Sequence, residues 1–459
     1  MAIRPNEIYD IYKDDVVTSA RSAEYKEVLS RVQTHCAKNY AKLVSSETDQ
    51  DTMRQLKDVI SAYLVSEKLT CENLTVDILS ERILADMAGY SILAKYIYEP
   101  GVEEVNVNAY DDIEVIYSSG RSVKVPEKFN SPQQALDVVR RMLSKCGMVL
   151  DDTVPSVLGY LEKNIRISAD KPPIVDEDVG INVSIRIVNQ ATVTREKLLD
   201  YGAATEEMLD FLEACIKHGV SVCFAGATSS GKTTLMAWLL SCIPDNQRLI
   251  TIEEGSRELN CIKRDEDGNV INSVVHLLTR PHSDPVMNID QDILLERTLR
   301  KNPNVIGVGE MRSYEAMTAA EASRTGHTVA TTIHSNSAAQ SYRRMMTLAK
   351  KKFTTMDDNL LMQIMVEAFP VVVYTKQLED GSRHIMEIIE GVSYKNEEVQ
   401  YNTLYKFDIT KNEEDDHGNV IIDGAHKKYS IMSTELQHKF LDNGLSSKKL
   451  EVFLRGNKE

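Results

Sequence analysis

The stretch SVCFAGATSSGKTTLM, from Ser221 to Met236, decides how the rest of this 459-residue chain is read. The β-prone apolar run Val222, Cys223, Phe224 leads into Gly226, Ala227, Thr228, Ser229, Ser230, Gly231, Lys232 and Thr233, and Thr234 opens the helix-like run TLMAWLL. The spacing is G-x-x-x-x-G-K-T between a strand and a helix, which is the pattern of a phosphate-binding loop; the plain alternative is a Gly/Ser turn. Glycines let the backbone turn so that successive N–H groups point at phosphate oxygens, and the following helix adds the positive end of its dipole. Lys232 is placed to reach the β/γ-phosphates of a nucleotide and the Thr233 hydroxyl to hold Mg²⁺.

Outward from the loop, apolar strand-like and helix-like segments alternate: RLITIEE, DILLERTLRKNP, NVIGVGE, MTAAEASRTG, TVATTIH and a long helix from Ala338. The segment CIKRDEDGNVINSVVHLLTR between them reads as hairpin-like. Alternation of this kind predicts an α/β doubly wound sheet with ligands at the carboxyl ends of its strands. Beyond Phe369, strands return in PVVVYTKQ and HIMEIIEGVSY, NEEDDHGN reads as an exposed charged loop, and the last forty residues as a helical appendage. Toward the N-terminus, VEEVNVNAYDDIEVIYSSGRSVKV reads as strands joined by turns, followed by the helix SPQQALDVVRRMLSKCG and strands around KNIRISADKPPI and GINVSIRIV: a smaller α+β domain. Before it, EYKEVLSRVQTHCAKNYAKLV and TVDILSERILADMAGYSILAKYI carry helical spacing. The division expected is a helical region over 1–91, the α+β domain over 92–190, a linker over 191–200, the nucleotide domain over 201–400 and an accessory segment over 401–459.

Three kinds of side chain around this frame carry chemistry. Glu253 and Glu254 end an apolar strand soon after the loop, where a carboxylate can orient or deprotonate an attacking water. Gly309, Glu310 and Arg312 end another, a position from which an acidic group approaches Mg²⁺ and the γ-phosphate. His327 and His334 bracket one strand, roughly 23 Å apart, too far to share a metal ion; His327 is read as a phosphate sensor at the strand's start and His334 as lying at its far end near the sheet's switch point. Arg166, Arg186, Arg280, Arg297, Arg300 and Arg312 are the cations from which an arginine acting on the γ-phosphate across a subunit boundary is drawn.

Composition narrows the choice. A net charge of −16 argues against wrapping a nucleic-acid backbone, so no direct nucleic-acid binding is expected. No apolar run approaches a membrane span and the first residues lack an apolar signal core, so the expected place is the cytosol or a cytosolic membrane face. The seven cysteines are scattered without a C-x-x-C pair, which predicts reduced thiols and no zinc site.

The assembled order resembles the secretion-ATPase superfamily, the motors of type II and type IV secretion and of type IV and Flp (Tad) pili, and within it the CpaF/TadA-like Flp-pilus assembly and conjugation ATPase branch. The resemblance covers about Ile83 to Glu390. GATSSGKTT is similar to the family's GGTGSGKTT, TIEEGSREL to TIED-x-x-EL, and VGEMR to its Gly-Glu Walker B; TGHTVATTIHSNSA is similar to its histidine box. In the smaller domain RMLSKCGMVLDDTVP, the Pro172-Pro173 pair and SIRI sit at the family's spacing. The resemblance implies a RecA-like nucleotide domain that hydrolyses ATP with Mg²⁺, with Lys232, Glu253, Glu310, His334 and Arg186 as catalytic residues and Gly226 to Thr234 as the binding loop. It further implies a homo-hexameric ring, ATP between the two domains, and a platform protein at the cytoplasmic face of the inner membrane. Departures stand beside it: Ala227 and Ser229 replace loop glycines, Tyr160 takes an arginine position while Arg166 is kept, and the four-cysteine zinc module is absent. A RecA-like nucleic-acid translocase and a nucleotide-bound scaffold without turnover are the alternative readings.

Overall fold

The computed structural model describes residues 23–40, 50–71, 74–88, 90–97, 99, 101–118, 120–145, 147–162, 165–187, 193–280, 286–414 and 420–455. The chain divides into two compact units, Met1–Asn189 and Gln190–Glu459.

Among the described residues the first unit opens with the helices α1 (Ala23–Asn39), α2 (Gln50–Ser66) and α3 (Val76–Ala88). Leu56, Ile60 and Leu64 recur every fourth residue along α2 and so form one stripe, which meets Val32 of α1 and Leu79 and Ile83 of α3 in a closed core. A short α4 (Leu93–Ile97) leads to strands β1 (Val102–Ala109), β2 (Asp112–Tyr117) and β3 (Ser122–Lys124), helix α5 (Pro132–Lys145), and strands β4 (Ser156–Glu162), β5 (Ile165–Asp170) and β6 (Asn182–Ile187). The strands form one antiparallel sheet in the order β3-β2-β1-β6-β5-β4. Strict alternation puts Val105, Val107, Ile167, Val183 and Ile185 on one face, buried with Val138, Val139, Met142 and Leu143 of α5. The other face is polar, and across it Glu104, Arg186, Arg166 and Tyr160 lie in one register row.

Among the described residues the second unit starts with α6 (Arg195–Asp200), inside the span expected as linker; residues 188–192, with the boundary expected after residue 190, lie outside the described residues. Then come α7 (Glu206–Lys217), β7 (Val222–Gly226), α8 (Lys232–Ser241), β8 (Arg248–Glu253), β9 (Ser273–Leu278), α9 (Gln291–Thr298), β10 (Val305–Val308), α10 (Glu315–Arg324), β11 (Thr328–Ile333), α11 (Ala338–Lys350), α12 (Asp358–Ala368), β12 (Val371–Gln377), β13 (Arg383–Lys395), β14 (Glu398–Glu414), β15 (Val420–Lys428), α13 (Thr434–Asp442) and α14 (Ser447–Leu454). The sheet order is β15-β14-β13-β12-β7-β11-β10-β8-β9, parallel from β12 to β9 and antiparallel from β12 to β15. β7 is fully buried, and its alternating residues serve two cores: Val222 and Phe224 join α7 and α8, Cys223 and Ala225 join α10, α11 and α12. Helices therefore cover both faces, the doubly wound arrangement that the alternation predicted.

Two segments differ from expectation. Residues 261–280 hold only a short hairpin, in which Arg264 bridges Val270 and the Ile271 N–H donates to the Lys263 carbonyl at 3.1 Å, and the rest of the span contributes β9, which pairs parallel to β8. Position 401 falls inside β14, and the C-terminal helices are core: Phe440 and Phe453 meet the Phe211 ring edge-on at 6.1 and 5.8 Å. Buried Glu390 accepts from the Ser433 backbone N–H at 2.7 Å and from Asn402 Nδ2 at 3.1 Å, stitching the start of α13 to the sheet.

Candidate functional site

The loop after β7 turns where a side chain cannot be accommodated. A Cβ on Gly226 would lie 2.4 Å from the Thr375 carbonyl oxygen of neighbouring β12, and Gly231, at φ +93°, caps the start of α8 from the left-handed region. Between them Ala227, Thr228 and Ser229 are exposed and Ser230 is buried with its Oγ 3.0 Å from Thr375 Oγ1. Lys232 is buried as well. Its Nζ donates to the Ala227 carbonyl at 2.6 Å; burial pushes its pKa down, opposed by the charges of Glu310 and Glu258. Thr233 is half-buried and Thr234 exposed, in the first turn of α8.

Parallel order brings three more strand ends to the same edge. β11 adjoins β7, β10 adjoins β11 and β8 adjoins β10, so His334, Glu310 and Glu253 all follow or end strands on the loop's side. Glu310 Oε2 accepts from Arg312 Nη2 at 2.7 Å, and Arg312 Nη1 donates to Glu254 Oε2 at 2.6 Å. Flanked by these carboxylates, with Glu310 the stronger influence, the guanidinium has its pKa raised above the usual value. Glu310 Oε1 lies 3.3 Å from His334 Nε2, and His334 Nδ1 lies 3.3 Å from the Gly226 carbonyl oxygen. One chain of contacts thus runs from Glu254 through Arg312, Glu310 and His334 to the loop's first glycine. The turn after Glu310 is fixed by buried Glu315, whose Oε1 accepts from the N–H of Ser313 at 2.6 Å and also from that of Arg312.

Glu253 closes β8 and is buried, whereas Glu254, just past the strand end, is exposed. Glu253 is 3% exposed, and its Oε1 accepts from the N–H groups of Glu258 and Leu259 at 2.7 and 2.9 Å. Among the described residues its Oε2 has no hydrogen-bond partner, and burial raises the pKa to about 7 against the pull of those two amides. A Cβ on Gly309 would be 3.2 Å from Glu253 Cγ, which places this carboxyl beside the strand end that carries Glu310.

His327 is corrected by the topology. It precedes β11 at the opposite edge of the sheet, with its Nδ1 3.3 Å from the Ala322 carbonyl oxygen, and so cannot sense phosphate at the loop of its own chain. Arg280, Arg297 and Arg300 are all exposed in the second unit, and Arg186 is exposed on β6 and Arg166 half-buried on β5 in the first. Sequence reasoning missed Thr375 and Arg383 beside the loop and the pairing of Arg312 with both acidic motifs. Thr375 and Arg383 lie some 150 residues away in an ordinary hairpin and carry no motif; the adjacency of β12 and β7 alone brings them in.

The donor set suits a phosphate with a hard divalent cation: backbone amides of the loop, a buried lysine, a helix-start hydroxyl and a carboxylate. Residues 156–400 match the family described as type II/IV secretion system protein, so the chain belongs to that family. An uncharacterized protein of Methanocaldococcus jannaschii is 26% identical over 263 residues, 57% of this chain and 45% of that one. The conjugal transfer protein TrbB of Rhizobium radiobacter is 30% identical over 256 residues, 54% of this chain and 72% of its own length. The VirB11 ATPase of the Brucella suis type IV secretion system, solved with sulphate, aligns with 64% of this chain and 91% of its own at 24% identity and a TM-score of 0.34.

Proposed function

We propose that the chain is a Mg²⁺-dependent ATPase, one subunit of a homo-hexameric motor that drives secretion, Flp or type IV pilus assembly, or conjugative transfer. The observation that carries this reading is the buried Lys232 at the phosphate loop, within the electrostatic reach of Glu310 at the end of β10, two strands from β7, inside a secretion-family domain. Bound Mg²⁺ would neutralise phosphate charge and align the phosphates, with Thr233 and Glu310 as the residues that hold it. The N–H groups from Gly226 to Thr234 grip the phosphates, and Lys232 gives up its carbonyl contact to offset their charge. Glu253, with a pKa of about 7, is poised to take a proton near neutral pH. Glu310 and His334 orient the attacking side, and Arg186 from the α+β unit supplies charge to the γ-phosphate. The family relationship supports a location at the cytoplasmic face of the inner membrane beside a platform protein, and the 30% identity to TrbB supports transfer machinery in particular.

Replacing Lys232 by Ala tests the reading directly. Phosphate release should fall by about a hundredfold or more while the unfolding midpoint is kept, because the lysine serves a ligand rather than the core. Wild-type phosphate release in a colorimetric assay would sink the assignment.

A further inference from the structure

We propose that Arg383 is a positioning residue of the nucleotide site, holding Ser229 of the phosphate loop in the left-handed conformation in which the loop receives phosphate. This inference rests on the reading of Gly226 to Thr234 as a nucleotide-binding loop.

Ser229 has φ +61°, a region where the Cβ of an ordinary residue crowds the following carbonyl and which glycine enters freely. The loop thus carries a conformational penalty at its exposed tip, and something outside it must offset that penalty. The Ser229 carbonyl oxygen accepts a hydrogen bond from Arg383 Nε at 2.9 Å. The arginine reaches over the loop: its Cδ is 3.8 Å from where a Cβ on Gly231 would stand. Below, the next residue is held by the contact between Ser230 Oγ and Thr375 Oγ1. β12 and β13 therefore clasp the loop from two sides, Thr375 from one strand and Arg383 from the next.

The clasp is itself anchored. Arg383 pairs with Gln377 across the hairpin, His384 Nδ1 donates to the Gly202 carbonyl at 2.8 Å, and the Ile385 N–H donates to the Ala203 carbonyl at 2.9 Å. With its neighbours tied to the segment before α7, the guanidinium presents Nε from a fixed backbone. Among the described residues it forms no ion pair, so its contact to the loop does not compete with a carboxylate. A loop that adopts its receptive shape only part of the time binds with an affinity reduced by that fraction. Arg383 raises the fraction without touching the ligand.

The test is a double-mutant comparison in the full-length chain, reading the dissociation constant of mant-ADP. Arg383→Ala should weaken binding about tenfold, the fold-change that corresponds to the steric cost of one left-handed non-glycine residue. Arg383→Met, which keeps the stem over Gly231, should do the same. With the constant of Ser229→Gly itself as the reference, Arg383→Ala in that background should change the constant by less than about twofold, because glycine needs no help to stay left-handed. Equal loss in both backgrounds overturns the proposal, since the guanidinium would then act on the nucleotide and not through Ser229. No loss in either background overturns it as well. Failure of the wild-type chain to bind mant-ADP is a separate result that removes the nucleotide-site reading itself.

Discussion

The two edges of the central parallel sheet are built from the same strands and treat polar groups in opposite ways. At the amino edge, neutral groups close on one another: the Val329 N–H donates to Ser221 Oγ at 2.9 Å, Ser221 Oγ lies 2.8 Å from Ser323 Oγ, and Ser323 Oγ donates to the Ala368 carbonyl at 2.6 Å. The Arg248 N–H donates to Asn304 Oδ1 at 2.8 Å in the same manner. At the carboxyl edge, charge is gathered and left partly unsatisfied: Lys232 is buried against a carbonyl, Glu253 Oε2 lacks a partner, and Glu310 shares one guanidinium with Glu254. A buried, poorly paired charge costs stability, so the gathering of such groups around the phosphate loop marks where the fold accepts a cost for chemistry, although among the described residues the amino edge also keeps one unpaired buried atom, Arg248 Nε. The two histidines that flank β11 show the contrast at the ends of a single strand: among the described residues His327 meets only a carbonyl of its preceding helix, and His334 stands between Glu310 and Gly226.

The largest break in this contrast should come from Glu310→Gln. The amide keeps the shape but removes the charge, so turnover should drop by about a hundredfold or more while mant-ADP affinity stays within a few-fold of wild type. Near-normal turnover would show that the contact chain from Glu254 to His334 is structural.

A middle-sized effect should come from Glu253→Gln, read as stability against pH. The folded pKa of about 7 lies above the ordinary value of 4.5, so the folded chain keeps a proton that the unfolded chain releases. Stability from this group is then fully present below about pH 4.5, falls as pH rises toward 7, and is lost above it. The amide of the variant does not titrate. The variant should therefore gain on wild type by about 2 kcal/mol between pH 5 and pH 8, seen as a growing separation of urea midpoints. A pH-independent difference would mean that Glu253 is ionised throughout. Loss of turnover alongside the gain in stability would sharpen the contrast, as a charge retained for work against stability.

The smallest effect belongs to the other edge. His327→Ala should leave turnover unchanged and change the unfolding free energy from urea titration by no more than about 0.5 kcal/mol, since it forfeits one weak contact to a carbonyl. A large loss of phosphate release without loss of stability would place His327 at a neighbouring subunit's site instead.

Sequence alone determined what is local. The loop from Gly226 to Thr234 depends on residue types within one strand–turn–helix unit, and the alternation of strand and helix patterns was enough for a doubly wound sheet and a separate α+β unit, because the periods of 2.0 and 3.6 are imposed by backbone geometry. The resemblance to secretion ATPases rested on four such local boxes, and the family match bears it out. Tertiary structure decided everything that depends on which distant strand lies next to which. It turned Glu253 inward and Glu254 outward, sent His327 to the wrong edge for phosphate, joined Arg312 to both acidic motifs, and made the C-terminal helices part of the core around Phe211. It also brought Thr375 and Arg383 to the phosphate loop across some 150 residues of chain. The physical reason is that a charge or hydrogen bond is settled by its partner, and strand order, which no local spacing encodes, chooses the partner.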